Sequence, residues 1–144
     1  MKYLLGILLL CISMLGAGDL IIKESRHSVS ETMDRLTSLV KDKGLTVFDR
    51  IDHRKGAQKV GMDMNDEELL IFGNPRAGTR IMLNDPKAGL DLPMKVLVYR
   101  DFKGKTWIVY RDPMALKKIY NLDQCSILPK LQKAMDSLTK KAAN

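Results

Sequence analysis

The chain has 144 residues, a formal net charge of +7 and 45% hydrophobic residues, a length that favours one domain with a sizeable core. The basic residues are interspersed with acids and only 6% of the residues are aromatic, so we expect no nucleic-acid partner. Besides a solvated surface, the positive charge is compatible with weak contact to an anionic membrane surface or with an anionic small molecule.

The first eighteen residues have the pattern of a secretory signal peptide. Lys2 is followed by an apolar run at residues 3–15 and by three small residues at 16–18. The apolar run is shorter than the roughly 20 residues of a transmembrane helix. We therefore expect a cleaved signal peptide, residues 1–18, with an uncleaved anchor as the alternative. Cleavage would leave Cys125 as a single cysteine, which we expect to be buried against the last helix.

A short strand at residues 20–23 precedes the most clearly marked helix of the chain. Ser28 and Glu31 have the spacing of a capping box, in which each side chain satisfies a free backbone N–H at the helix start. Gly44 supplies the left-handed conformation that ends the helix. Four apolar residues recur at helical spacing: Val29, Met33, Leu36 and Val40.

Four further apolar runs predict strands. They lie at residues 45–51, 68–72, 94–100 and 105–110. Asp52 is placed to cap a short helix at 53–59, between the first two of these strands. Residues 101–104 form a tight hairpin turn between the last two.

Three Asx-Pro pairs mark turns or helix starts. Asparagine is a good N-cap and proline is favoured at the first helical position, so Asn74 and Pro75 predict a helix that ends near residue 84. Asp112 and Pro113 repeat the pattern and predict a short helix to about residue 120. The pair at 85–86 is interpreted as a turn.

The chain ends with a predicted amphipathic helix. Ser126 is placed to cap it, and Pro129 is tolerated in its first turn. Its apolar stripe consists of Ile127, Leu128, Leu131, Met135 and Leu138. We expect the last residues to fray.

The helix that begins at Asn74 is also the best candidate for a binding site. A helix start carries free N–H groups and partial positive charge, both of which suit an anion. Arg76, Thr79 and Arg80 would add charge and a hydroxyl. Gly78 costs about 1 kcal/mol relative to alanine inside a helix, so close packing or close approach of a ligand is expected there. The alternative is that this segment only connects a strand to a helix.

His53 is the candidate acid/base, because it lies at a strand end where functional side chains often project. Asp112 is the carboxylate that could approach it through the fold. The alternative is that His53 fills the first turn of a short helix. The ligand pattern for a zinc site or for haem attachment is absent from the sequence, so we predict neither a metal nor a cofactor.

An ordered set of short motifs resembles the DUF302 family, domains of unknown function. The set comprises residues 51–53, 71–75, 78–79, 92–93 and 110–113. The resemblance covers residues 19–122, with 123–144 as a C-terminal helical extension. It implies an α+β fold in two layers of the TBP-like, β-α-β(4)-α type, a mostly antiparallel sheet with short helical insertions, and homodimers. It also suggests a bacterial periplasmic protein.

These observations support three hypotheses. The leading one is an exported homodimeric module that binds an anionic or polar small molecule in a modest apolar pocket. The Asn74–Thr79 segment, Arg80 and His53 would lie at the mouth of this pocket. The second hypothesis is a hydrolase or isomerase of a small substrate that uses His53 and Asp112. The third is a structural or interaction protein.

Overall fold

The computed structural model describes residues 19–144, in which five strands form one antiparallel sheet. The predicted signal peptide, residues 1–18, lies outside the described residues. The strands are β1 (Leu20–Ser25), β2 (Thr46–Asp52), β3 (Glu67–Gly73), β4 (Met94–Arg100) and β5 (Thr106–Arg111). Their order across the sheet is β1-β5-β4-β3-β2, so β4 is the central strand.

Four α-helices accompany the sheet in the described part of the chain. They are α1 (Val29–Asp42), α2 (His53–Lys59), α3 (Pro75–Asn84) and α4 (Leu128–Ala143). Two 3₁₀ turns, Pro86–Leu90 and Pro113–Lys118, begin after aspartates whose side chains cap them. The mixed α+β architecture predicted from the sequence is confirmed, although the pair at 85–86 begins a 3₁₀ turn rather than a simple turn.

Half of the capping box predicted at the start of α1 forms, because the Glu31 carboxylate pairs with His27 Nδ1 at 2.8 Å rather than with the backbone N–H of Ser28. The side chain of Ser28 accepts a hydrogen bond from the backbone N–H of Glu31 at 3.2 Å. At the other end of α1, Gly44 has φ +68°, a conformation that other residues rarely adopt. The next residue folds back, and Leu45 N donates a hydrogen bond to the carbonyl of Val40 in the last turn of the helix.

The main core lies between one face of the sheet and the helices α1 and α4. Strand side chains alternate between the two faces, so every second residue points toward these helices. The buried strand residues are Leu70, Phe72, Met94, Val96, Val98, Ile108 and Tyr110. Met33 and Leu36 of α1 and Met135 and Leu138 of α4 complete this core.

Helix α4 is part of the main layer and is anchored at its end. Arg26 N donates to the carbonyl of Ala143 at 3.0 Å, and Arg35 Nε donates to the carbonyl of Ala142 at 3.2 Å. The expected fraying is therefore wrong, because these contacts tie the last turn to the rest of the fold. The predicted cap is also wrong, since α4 begins at Leu128 and no side chain caps it.

A second, smaller core lies beneath the 3₁₀ turns. It contains Ile81 of α3 and Leu128 of α4, and Cys125 is buried there as predicted. The carboxylate of Asp85 accepts from the backbone N–H groups of Asn121 and Lys87, both at 3.0 Å. These hydrogen bonds lower the pKa of the Asp85 carboxyl group, and the one from the backbone of Asn121 has the largest effect.

Replacing Leu36 tests the assignment of the main core. Leu36 is fully buried on α1, so Leu36→Ala should lower the free energy of unfolding by about 2 to 5 kcal/mol in urea titrations. Leu83→Ala is the matched control, because Leu83 is 80% exposed; it should change stability by less than about 0.5 kcal/mol. Equal effects of the two substitutions would contradict this assignment.

The lowered pKa of Asp85 makes stability depend on pH. A carboxyl whose folded-state pKa is depressed stabilises the fold above its unfolded pKa of about 3.9, and this contribution is lost as pH falls toward the folded value. Asp85→Asn should therefore flatten the fall of melting temperature below about pH 4. Asp123→Asn is the matched control for the loss of one carboxyl group, because Asp123 is exposed and its side chain accepts no hydrogen bond within the described residues.

Candidate functional site

A cavity of about 460 Å³ opens between α3, α4 and one end of the sheet. We call it the α3–α4 pocket. Four separate stretches of chain supply its walls, within residues 45–48, 72–82, 92–94 and 127–138. Its deepest side chains, Phe72, Met94, Met135 and Leu138, belong to the main core, so the pocket is an opening into that core.

The pocket exists because α3 packs only lightly. Of its ten residues only Ile81 is buried, and Ile81 belongs to the smaller core. The sheet and α4 therefore keep apolar side chains that α3 does not cover. Where such faces do not meet, an apolar space remains that suits a ligand.

An irregularity in β2 adds an aromatic wall. The register between β2 and β3 shifts between Val47 and Asp49, which leaves Phe48 as an extra residue. A bulge of this kind changes the direction of a side chain. Phe48 is 52% exposed and lines the pocket opposite α4.

The polar groups around the pocket favour a negative charge. Lys130 of α4 is the one charged residue among those that line the pocket in the described chain, and its ammonium group makes no hydrogen bond or salt bridge there. Arg76 and Arg80 lie one turn apart on α3, on a shallow surface that also includes Thr79. These guanidinium groups also lack a carboxylate partner within residues 19–144. These three cations without carboxylate partners favour an anion at this side of the molecule.

The start of α3 has the predicted cap but not the predicted free donors. Asn74 Oδ1 accepts from the N–H groups of Arg76 at 2.9 Å and Ala77 at 3.4 Å. Pro75 has no N–H, and Gly78 N donates to the carbonyl of Asn74. The expectation of exposed N–H groups for an anion is corrected accordingly: the cap itself uses them.

Gly78 borders open space. A Cβ atom at this position would meet no neighbouring atom within 4 Å, and the residue lines the pocket. The predicted close packing at Gly78 is therefore wrong. A side chain there would project into free volume, so the glycine preserves the size of the pocket.

The structure does not bring His53 to this pocket. His53 begins α2 directly after Asp52, which pairs with Glu68 near the start of β3. Gly73, next to the pocket, pairs with Thr46 at the other end of the same two strands. A strand of seven residues is about 20 Å long, so His53 and Asn74 lie at opposite ends of the sheet.

The proposed pairing of His53 with Asp112 is also corrected. Asp112 follows β5, and three strand spacings of about 4.8 Å separate β5 from β2. The two residues also extend from opposite ends of the sheet. The carboxylate of Asp112 caps the Pro113–Lys118 turn and accepts hydrogen bonds from Gln132 Nε2 at 2.9 and 3.0 Å.

Sequence reasoning identified α3 but missed the opposite walls. The apolar stripe of α4 was recognised, yet its spacing does not show which part of the stripe stays uncovered. Lys130 and Phe48 carried no local signal. An apolar stripe longer than the core requires is the one hint that the sequence held.

Neither a cluster of metal-ligating side chains nor a membrane-spanning helix occurs within residues 19–144. They contain no group of three or more His, Cys, Asp or Glu side chains that could hold a metal ion. Within the same residues, no helix combines the length and apolar character needed to span a bilayer.

The family described as "Domain of unknown function DUF302" matches residues 21–138, and so extends past the boundary at 122 into α4. A crystal structure of the uncharacterized conserved protein DUF302 from Bacillus stearothermophilus has a TM-score of 0.77 at 22% identity, covering 88% of this chain and 99% of that chain. This likeness supports the fold.

Curated relatives are longer proteins. The "Fluoride-specific ion channel FluC 1" of Brucella suis biovar 1 (strain 1330) is 43% identical over 103 residues, which are 72% of this chain and 41% of the relative. The protein of the same name from Brucella abortus biovar 1 (strain 9-941) is also 43% identical over 103 residues, 72% of this chain and 38% of the relative. The chain thus spans about two-fifths of the length of these relatives.

Substitution of Gly78 tests the open space beside it. Gly78→Ala should raise the free energy of unfolding by up to about 1 kcal/mol, because alanine favours the helix and the added methyl group has room. Gly44→Ala is the opposite control, since φ +68° there should make alanine destabilising by about 1 kcal/mol. A loss of stability in Gly78→Ala would show that the space is not free.

Proposed function

The chain belongs to the DUF302 family, and from this premise we propose that it is an exported, homodimeric module that binds a small amphipathic anion. The ligand would place its apolar body in the α3–α4 pocket and its anionic head near Lys130. The observation that carries the proposal is an apolar cavity of about 460 Å³ with a lysine and no acidic side chain among its lining residues.

The apolar walls determine what the body of the ligand must be. A polar molecule would lose its hydration in this pocket without gaining hydrogen bonds, because only Asn74, Thr79 and Lys130 offer polar side chains. An aliphatic chain gains about 0.8 kcal/mol for each buried methylene group. The polar ligand expected from the sequence is thus replaced by an amphipathic one.

The cations determine the head group. A carboxylate at the rim would meet the ammonium group of Lys130 on α4. Arg76 and Arg80 on the outer surface of α3 would attract it from a distance. The capped start of α3 contributes its dipole but no free N–H donor.

Two other activities receive less support. The hydrolase or isomerase alternative depended on His53 close to Asp112, an arrangement that the fold does not provide. The relatives named as fluoride channels are more than twice as long as the part that matches here. A fluoride ion has no apolar body, so it serves in our test as the anion that should not bind the pocket.

Binding can be measured as thermal stabilisation by straight-chain carboxylates of 8, 10 and 12 carbons, below the concentrations at which they form micelles. The dissociation constant should fall about fourfold for each added methylene group until the pocket is filled. The matched alcohols should bind more weakly, because they lack the charge that Lys130 would meet. Fluoride should give no stabilisation.

Matched variants locate the site. Gly78→Phe should remove binding by filling the pocket, whereas Gly56→Phe, another helical glycine with free space but at the opposite end of the sheet, should leave it intact. Lys130→Glu should weaken carboxylate binding roughly tenfold and Lys133→Glu much less. Equal binding by the two phenylalanine variants would refute the pocket as the site.

A further inference from the structure

The face of the sheet turned away from α1 and α4 carries an unbroken line of aliphatic side chains. The strand register places one residue of each strand directly opposite the next. We call this line the aliphatic row: Ile22, Val109, Leu97, Leu69 and Ile51. It crosses all five strands, and the four spacings between them make it about 19 Å long.

The aliphatic row is not part of either core. Ile22 is 49% exposed, and the other four residues are half-buried without belonging to a core cluster. Leu20, Ile71, Trp107 and Tyr99 flank the row on the same face. Contiguous apolar surface of this extent on a soluble domain marks an interaction site.

Charges on this face are sorted by side. Toward the pocket end of the strands lie Lys95 on β4 and Arg111 on β5, both exposed. Toward the other end lie Glu67 on β3 and Glu24 on β1, beside the two aromatic residues. Lys105 is a base on this acidic side, with its ammonium group 5.9 Å from the centre of the Trp107 ring. Asp49 on the edge strand β2 is an exception, because this acidic residue lies toward the pocket end, where the basic residues are.

The partners of these charges show which of them are available. Lys105 Nζ binds Glu24 at 3.1 Å, whereas Glu67 has no salt bridge within residues 19–144. Lys95 Nζ donates to the backbone carbonyls of Pro93 at 3.2 Å and Asp91 at 3.4 Å and meets no carboxylate in the described chain. Lys95 and Glu67 are therefore free to pair with another molecule.

We propose that this face is the interface between two copies of the chain, related by a two-fold axis that runs along the aliphatic row. The proposal assigns a surface to the homodimer of the proposed function. Two sheets would pack face to face, as in a sandwich, about 10 Å apart. Each residue of the aliphatic row would meet the row of the second copy and lose its exposure to water.

The charges decide between two possible axes. With the axis along the row, the basic side of each copy covers the acidic side of the other. Lys95 then lies over Tyr99 and next to Glu67, which has no salt bridge in its own copy within residues 19–144. A two-fold axis parallel to the strands would place β4 of one copy over β4 of the second copy without shifting it along the strand. Lys95 of one copy would then face Lys95 of the other. Like charges in contact disfavour that arrangement.

Substitution in the central strand tests the surface. The full described chain should form a dimer in sedimentation velocity, and Leu97→Asp should raise the dissociation constant at least tenfold, because two carboxylates would be buried at the axis. Leu90→Asp is the matched control, since Leu90 is 84% exposed and lies outside the sheet; it should remain dimeric. A monomeric wild type would overturn the homodimer itself, and a dimer unaffected by Leu97→Asp would overturn only the assigned face.

A charge exchange tests the axis without burying new charge in the centre. Lys95→Glu and Glu67→Lys should each weaken the dimer several-fold, and the double variant should recover most of the loss. If each single variant weakens the dimer and the double variant does not recover the lost affinity, the axis along the row is overturned. Neither experiment depends on the pocket, because carboxylate binding is measured separately.

Discussion

The alternation of side chains along the strands is the constraint on which the rest of this structure depends. Each strand has a face that packs against α1 and α4 and a face that does not. Leu70, Val96 and Ile108 lie on the first face and are completely buried. Their neighbours Leu69, Leu97 and Val109 necessarily lie on the second face. One helical layer thus produces both a closed core and an apolar surface that remains open.

The pocket follows from the same arrangement at one end of the sheet. The layer of helices is complete over the middle of the strands, where α1 and α4 meet. At the end formed by Gly73 the chain turns into α3, which packs against the Pro86–Leu90 turn more than against the sheet. The apolar side chains of β2, β3 and α4 extend past the cover that α3 provides. Incomplete cover, rather than a specific motif, therefore creates the candidate site.

Sequence patterns predicted the parts that depend on neighbouring residues. The caps at Ser28, Asn74 and Asp112 involve atoms two or three residues apart, and all three side chains accept the expected backbone N–H. Ser126 failed because Leu128 is fixed in the smaller core and the helix begins there without a side-chain cap. The predicted fraying failed because Arg26 and Arg35, far away in sequence, hold the last turn. The separation of His53 from the pocket depends on strand register, which no single segment encodes.

The assembly of the pocket from four distant stretches has a consequence for motion. Its walls join the start of β2, the segment from β3 to α3, the residues before β4 and the exposed half of α4. Partial detachment of α4 would dissolve the cavity, whereas its anchored last turn could stay in place. Occupancy of the pocket and the hydrogen-exchange rate of the amides in the first turns of α4 are therefore linked quantities. A bound molecule would therefore link α4 to α3 and to one end of the sheet.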